Sequence, residues 1–463
     1  MTGAARRPLP RSPLTPALVP GSLNFERFAI VTCGGALSGL VVPSLGPLRQ
    51  PILVLVFLGL CAKLFTLVIR RQFTFAWGLS AFLCATEPAF RVYARVLPYL
   101  ALDYVLLGSG VLTFVLLRPK KIAQWLPAVA YGIYIALEIT GSVTASSWNG
   151  ARGIVLPSLL MLVFVLNSGR VRFTPSAMTF VLASYIAGAV TLTGFALRSY
   201  LAGNITWGTQ SNFDASGGMP PNHISILLSV AVFACIVLSE DAARIQRMII
   251  LGIATVLGSL MVLTFSRGGT VILVGSLLLY YIVIRKTSRR TIVGLVAIAV
   301  IGLVVSYGAQ EITGGKIADR YGRTNTSNRF AIVVAGWGIY VEHPILGVGT
   351  SNFREAISDT QFAQVTGAHN ELIRAAAEHG TLGLLTWLLF IGSAFVAALR
   401  SGEAHRARRG LRVVILAFAT TSMFYNGLKL TVQPMLILLA LSAFTAFDPA
   451  PKPALPRKRA MFT

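Results

Sequence analysis

The sequence predicts an all-α protein: a polytopic transmembrane helical bundle with one large helical loop on its outer side. Three observations carry that expectation. The 463 residues are 55% hydrophobic and only 12% charged, the mean hydropathy is +0.71, and apolar runs recur from Phe28 to Phe447. Each run holds roughly 17–25 residues, enough for a helix to cross a hydrocarbon core of about 30 Å with every backbone group bonded internally. About fourteen runs meet this length. Two of them, 73–90 and 153–167, are short enough to tilt or re-enter, which bounds the count at about 12–14 spans.

The chain divides accordingly. Residues 1–27 set Arg6, Arg7 and Arg11 among five prolines and read as a disordered basic cytoplasmic tail. No small-residue cleavage site follows the first apolar run, so a removable signal is not expected. Residues 28–309 hold the N-terminal spans, 310–380 one long mixed-charge connection, 381–447 the C-terminal spans, and 448–463 a second basic tail.

The net charge of +24 does not indicate nucleic acid. The cations lie in short clusters between apolar runs and make no continuous basic face. Topology accounts for them. With the N-terminus inside, Arg70 and Arg71, "RPKK" (118–121), Arg170 and Arg172, Arg244 and Arg247, "RKTSRR" (285–290) and "RSGEAHRARRGLR" (400–412) all fall inside. The outer connections carry mostly single cations, Arg49, Arg152, Arg198, Arg267 and Lys429, with Arg91 and Arg95 the poorest fit. An even span number with both termini inside follows, and the 310–380 connection lies outside. Cys33, Cys61, Cys84 and Cys235 lack metal-ligand spacing and are expected as buried thiols.

A long folded loop presented by rigid spans is where function is expected. It ends in "GAHNELIRAAAEHGTLG" (367–383). There the pattern turns helical from Asn370, Gly380 suits a C-cap, and Glu371, Arg374 and Glu378 share one face that reads as solvated. His369 stands at the head of that helix, where the positive dipole end favours the neutral imidazole a general base needs. The bland reading of His369 is a capping or packing residue. Upstream, "SNRFAIVVAGWGIYVEHPILGVGTSNF" (327–353) puts Arg329 before an apolar helix and then breaks at Pro344, Gly347 and Gly349. That helix reads as amphipathic, lying on the outer membrane surface.

"TFSRGGT" (264–270) places Arg267 in a tight turn between two spans. It is either a snorkelling anchor or an anion clamp, since a guanidinium offers paired donors to phosphate. In the latter case Ser266, Gly268 and Gly269 would let backbone amides approach the same anion.

An arginine in an "SRG" turn, then "R…GW…HPILGVG", then "HNELIRAAAEHGTLG", in that order, resembles the bacterial O-antigen ligase and lipid-linked polysaccharide polymerase family, the WaaL and Wzy type. The motifs cover roughly residues 264–400. The resemblance implies a GT-C-like, metal-independent glycosyltransferase without a cofactor, in the bacterial plasma (inner) membrane with its active site on the outer face. Its partners would be a polyprenyl-diphosphate-linked glycan donor, a glycan or lipid acceptor and the bilayer. By the family pattern His369 would take the proton of the acceptor hydroxyl and Arg267 would hold the donor diphosphate. Arg329 is a second candidate for that anion, and Arg198 in "ALRSYL" is the nearest match to a further family arginine. "GGMPPNH" resembles a family turn entering the next span, which makes His223 structural.

The sequence holds no GxxxxGKS or GKT loop and no outer pair of aspartates for a metal–nucleotide-sugar complex. The rival from another class is a transporter or flippase for lipid-linked oligosaccharide, because Glu87, Asp103 and Glu138 fall in or near spans. Against it, one dominant loop breaks the two-half symmetry usual in transporters.

Overall fold

The structure is a computed structural model that describes residues 25–117, 125–203, 205–208, 210–240, 242–285, 289–322, 329–358, 367–400 and 406–444. The expected basic tails and the "RPKK" run lie outside these residues apart from the first few positions of α1. The helices in chain order are α1 (Phe25–Val41), α2 (Arg49–Ile69), α3 (Phe73–Tyr93), α4 (Ala101–Leu116), α5 (Trp125–Gly141), α6 (Trp148–Ser168), α7 (Pro175–Leu201), α8 (Pro221–Ser239) and α9 (Arg244–Leu263). They continue as α10 (Arg267–Tyr280), α11 (Arg289–Ile312), α12 (Lys316–Gly322), α13 (Arg329–Glu342), α14 (Phe353–Ala356), α15 (Glu371–Arg400), α16 (Arg406–Asn426) and α17 (Val432–Leu441).

Among the described residues, α2, α5, α6, α7, α8, α9 and α15 are long and apolar enough to cross a membrane. Shorter apolar stretches of 10–17 residues occupy α1, α4, α10, α13, α16 and α17. Each of the fourteen expected spans coincides with one helix, α3 and α11 supplying the two that neither group contains. Local signals set the starts. Thr174 caps α7 by accepting from Ala177 N at 3.1 Å, with Pro175 following, and Ser147 caps α6 from Gly150 N at 3.2 Å.

Small residues let the helices close on one another. A methyl added at Gly194 of α7 would lie 2.7 Å from the Ala36 carbonyl oxygen of α1, the backbone-to-backbone approach that packs helices in lipid. α8 from Ile224 onward and all of α17 are buried, so both are wrapped by protein. Cys61, Cys84 and Cys235 are buried as expected, but Cys33 is exposed. It shares an outward stripe of α1 with Ile30 and Leu37, an apolar face that turns away from α7.

The two ends of the bundle differ. At one, Arg412 donates to the Ala440 and Leu441 carbonyls at 2.6 and 2.9 Å, closing α17, and Arg170 does the same for α4 at Phe114. A parallel pair of two-residue strands, β1 (Arg172–Phe173) and β2 (Ala443–Phe444), clasps the chain there. The other end carries the 310–380 connection, whose described residues are folded. Ile332, Ala335, Ile339, Phe353, Ile357, Ala368, Ile373 and Ala377 make a small core of its own. α13 therefore sets one apolar face on α15. Its opposite stripe of Phe330, Val334, Trp337 and Val341 is exposed, so the helix is apolar on both sides, whereas the sequence suggested one apolar face.

Candidate active site

The connection returns to the bundle through a turn that fixes His369. Asn370 Oδ1 accepts from Leu372 N and Ile373 N at 3.0 and 3.2 Å and caps α15. Ala368 is buried in the small core of the connection. Between these two anchors His369 takes φ +46°, a left-handed conformation that costs a non-glycine residue about 1–2 kcal/mol. Its ring is half-buried. It faces a cavity of about 1110 Å³ whose walls include Tyr99, Asn149, Arg152, Ser351, Arg354 and Lys429.

Two glycines explain the approach of "HPILGVG" to "HGTLG". Gly380 (φ 62°, ψ −153°) breaks α15. A methyl there would collide with the Ile345 carbonyl carbon, and one at Gly347 (φ 66°) would collide with the Glu378 backbone. The strap 344–350 thus lies backbone against backbone across the break. Thr381 N donates to Pro344 O at 2.7 Å, Val348 N to Ala377 O at 3.0 Å and Gly349 N to Glu378 O at 2.9 Å. Thr350 then bonds Glu138 O at 2.6 Å, which ties the strap to α5.

The face expected to be solvated is buried. Glu371 and Glu378 are 1% and 2% exposed, and Arg374 between them pairs with both and with Glu138 of α5 at 2.7 Å. The i, i+3, i+7 spacing is the same for a solvated face and for an internal ion network. What decides here is that α5 packs on this face and delivers a fourth charge. A second network lies alongside: Arg91 pairs with Glu87 and, at 3.2 Å, with Asp103, and stacks over Tyr99 at 4.5 Å. The carboxylates that suggested a transporter are therefore held by arginines within the protein.

Lys429 stands in the turn between α16 and α17, its Nζ 3.4 Å from His369 Nδ1. The surrounding protein desolvates its ammonium and lowers its pKa, Glu371 opposing and Arg374 adding to the fall, while its tip opens on the cavity. His223 lies within electrostatic range of Arg91, Lys429 and His369, close to His369, whereas the sequence suggested only a structural part for it.

The arginines are placed as follows. Arg267 is half-buried at the start of α10, at the same end of the bundle as His369 and outside the cavity wall. Its neighbour Ser266 donates to Asn222 Oδ1 at 2.9 Å, one residue before His223. Gly268 packs under the Tyr425 ring and Gly269 against the Ser225 backbone, so close helix packing claims both glycines, for which the sequence suggested anion approach. Arg198, in the last turn of α7, donates to the Pro43 carbonyl between α1 and α2 and does not line the cavity. Arg329 opens α13, and its side chain lies outside the described residues.

Fold and site together define a multi-pass helical membrane protein with a polar, charged cavity at the end where its one long connection folds back. Residues 250–388, which run from α9 into α15 and include Arg267, Arg329 and His369, match the family model described as O-antigen ligase. That match supports the O-antigen ligase family, as the motifs led us to expect. No curated protein matches the chain.

Proposed function

We propose that this protein is a membrane glycosyltransferase of the O-antigen ligase or polysaccharide polymerase type. It moves glycan from a polyprenyl-diphosphate donor to an acceptor hydroxyl in cell-surface polysaccharide biosynthesis, on the outer face of the bacterial inner membrane. The observation that carries the reading is His369, held in a left-handed turn at a cavity wall inside the segment that matches the family. A strained residue kept at a cavity points to use.

In the proposed reaction His369 takes the acceptor hydroxyl proton as the acceptor oxygen bonds to the anomeric carbon. The bond from that carbon to the phosphate oxygen breaks and its electron pair stays on the diphosphate. Arg267 holds that diphosphate, with Arg329 and Arg198 as lesser candidates, and no metal takes part. The transporter alternative rests on Glu87, Asp103 and Glu138, which Arg91 and Arg374 hold in ion pairs.

The test uses purified full-length protein in lipid nanodiscs with an undecaprenyl-diphosphate-linked oligosaccharide and candidate acceptors. Formation of a glycosidic product with release of undecaprenyl diphosphate is expected. Movement of intact donor between leaflets without bond cleavage would establish the flippase instead. In cells lacking the protein, accumulated single repeats indicate a polymerase, and long unattached chains a ligase.

A further inference from the structure

The turn 427–431 between α16 and α17 is built with more care than a connection requires. Its four consecutive amides are each accepted by a buried side chain from elsewhere. Leu428 N donates to Glu371 Oε2 at 3.0 Å, Lys429 N and Leu430 N to Gln433 Oε1 at 3.1 and 3.2 Å, and Thr431 N to Glu87 Oε2 at 2.9 Å. The carbonyls of Gly427 and Lys429 accept from Gln433 Nε2 at 2.8 Å and Arg91 Nη1 at 3.3 Å. Glu87, Glu371 and Gln433 are 0–1% exposed. Burying two carboxylates and an amide is expensive unless each is fully bonded, and here their bonds converge on one short turn. What that turn presents to the cavity is Lys429.

The charged groups around Lys429 are tied to one another in two ion networks. Arg91 is taken by Glu87 and Asp103, and Arg374 by Glu138, Glu371 and Glu378. Among the described residues no carboxylate lies within ion-pair distance of Lys429, whose recorded polar neighbour is the His369 imidazole at 3.4 Å. An ammonium on a rigid turn at a cavity wall, beside a candidate base and with no carboxylate in ion-pair contact, is complementary to an anion that the cavity receives.

We propose that Lys429 is a phosphate-binding residue of this cavity and holds the diphosphate of the lipid-linked donor against His369, an assignment that rests on the reaction proposed above. The phosphate oxygen that keeps the electron pair gains charge as the glycosidic bond breaks, and an ammonium in reach stabilises it. Lysine suits this place as a compact point charge on a mobile stem, which complements the planar fork of Arg267 on the same diphosphate. Before donor arrives the ammonium faces the imidazole nitrogen.

The experiment compares full-length wild type, Lys429→Met and Lys429→Arg in nanodiscs. Methionine keeps the length of the stem and removes the charge. The probes are undecaprenyl diphosphate, undecaprenol and inorganic diphosphate, read by the ligand-induced rise in unfolding temperature, by dissociation constant, and by kcat and KM for transfer. Wild type is expected to bind undecaprenyl diphosphate and not undecaprenol. Lys429→Met should weaken that binding by about 10- to 100-fold, the scale of a hydrogen bond to a charged group, and Lys429→Arg should recover most of it. Wild-type affinity in folded Lys429→Met overturns the proposal. Inorganic diphosphate bound as tightly as the lipid would overturn the lipid-donor assignment in favour of a soluble anion. If wild type binds undecaprenyl diphosphate through Lys429 but transfers nothing, Lys429 stands and the transferase reading falls.

Discussion

The Arg374 guanidinium reaches from α15 to the Glu138 carboxylate of α5 at 2.7 Å while also pairing with Glu371 and Glu378 on its own helix. One cation thus gathers three buried carboxylates where α15 enters the bundle. The same Glu371 accepts from Leu428 N, so the network sets both the helix that follows His369 and the turn that carries Lys429.

Removing that cation should be severe. Arg374→Ala leaves three carboxylates together without their shared cation, and breaking a buried pair in this way costs about 3–5 kcal/mol. The unfolding temperature of the purified variant in detergent should drop steeply. A wild-type midpoint would show that the network carries no stability.

His369 offers a separation of stability from function. His369→Gly removes a side chain from a left-handed position, relieving about 1–2 kcal/mol of strain, and should unfold no earlier than wild type. It should also abolish glycan transfer, as should His369→Ala. Substantial residual turnover in either variant would take His369 out of the base role.

Arg267 distinguishes a clamp from an anchor. An interfacial anchor needs only charge and reach, so Arg267→Lys would be silent. A clamp needs the planar fork, and losing it should lower kcat by about 10²–10³ with a smaller effect on donor binding. Near wild-type kcat in the lysine variant would end the clamp assignment and turn attention to Arg329.

The strap across the α15 break should tolerate no added side chain. Gly347→Ala and Gly380→Ala each meet backbone at a positive φ, and an overpacking strain of about 1–3 kcal/mol is expected in the unfolding midpoint. Transfer should fall with it, because the strap bonds the segment of α15 that begins beside His369. Unchanged stability in both variants would show that the strap lifts freely.

Sidedness is open to labelling. In a cysteine-free background, which requires replacing the exposed Cys33 among others, a cysteine placed at 267 or 369 should react with an impermeant reagent added to spheroplasts. One at 172 or 244, from the opposite end of the bundle, should stay protected. The reverse pattern would invert the topology.

The sequence was most legible where local rules suffice. Apolar run length located fourteen of the seventeen α-helices among the described residues, and "HNEL" announced a helix start, because an asparagine cap and the pattern after it lie within one turn. It was least legible where meaning comes from across the bundle. Glu371, Arg374 and Glu378 looked solvated because Glu138 stands 236 positions from Arg374. Gly347 and Gly380 announced a turn and a helix end, but their mutual approach belongs to tertiary packing. Lys429 read as one more single cation in the topology tally, since nothing in "NGLKL" shows that Glu87, Glu371 and Gln433 converge beneath it.

The fully bonded turn under Lys429 has a thermodynamic consequence. A loop that must order itself around a ligand gives up about 1–2 kcal/mol of backbone entropy per residue fixed. With the amides of 428–431 already bonded in the unliganded protein, an arriving anion immobilises little more than the torsions of one lysine stem, about 2 kcal/mol in all. The ordering cost that a flexible loop would subtract from the affinity is thereby largely avoided.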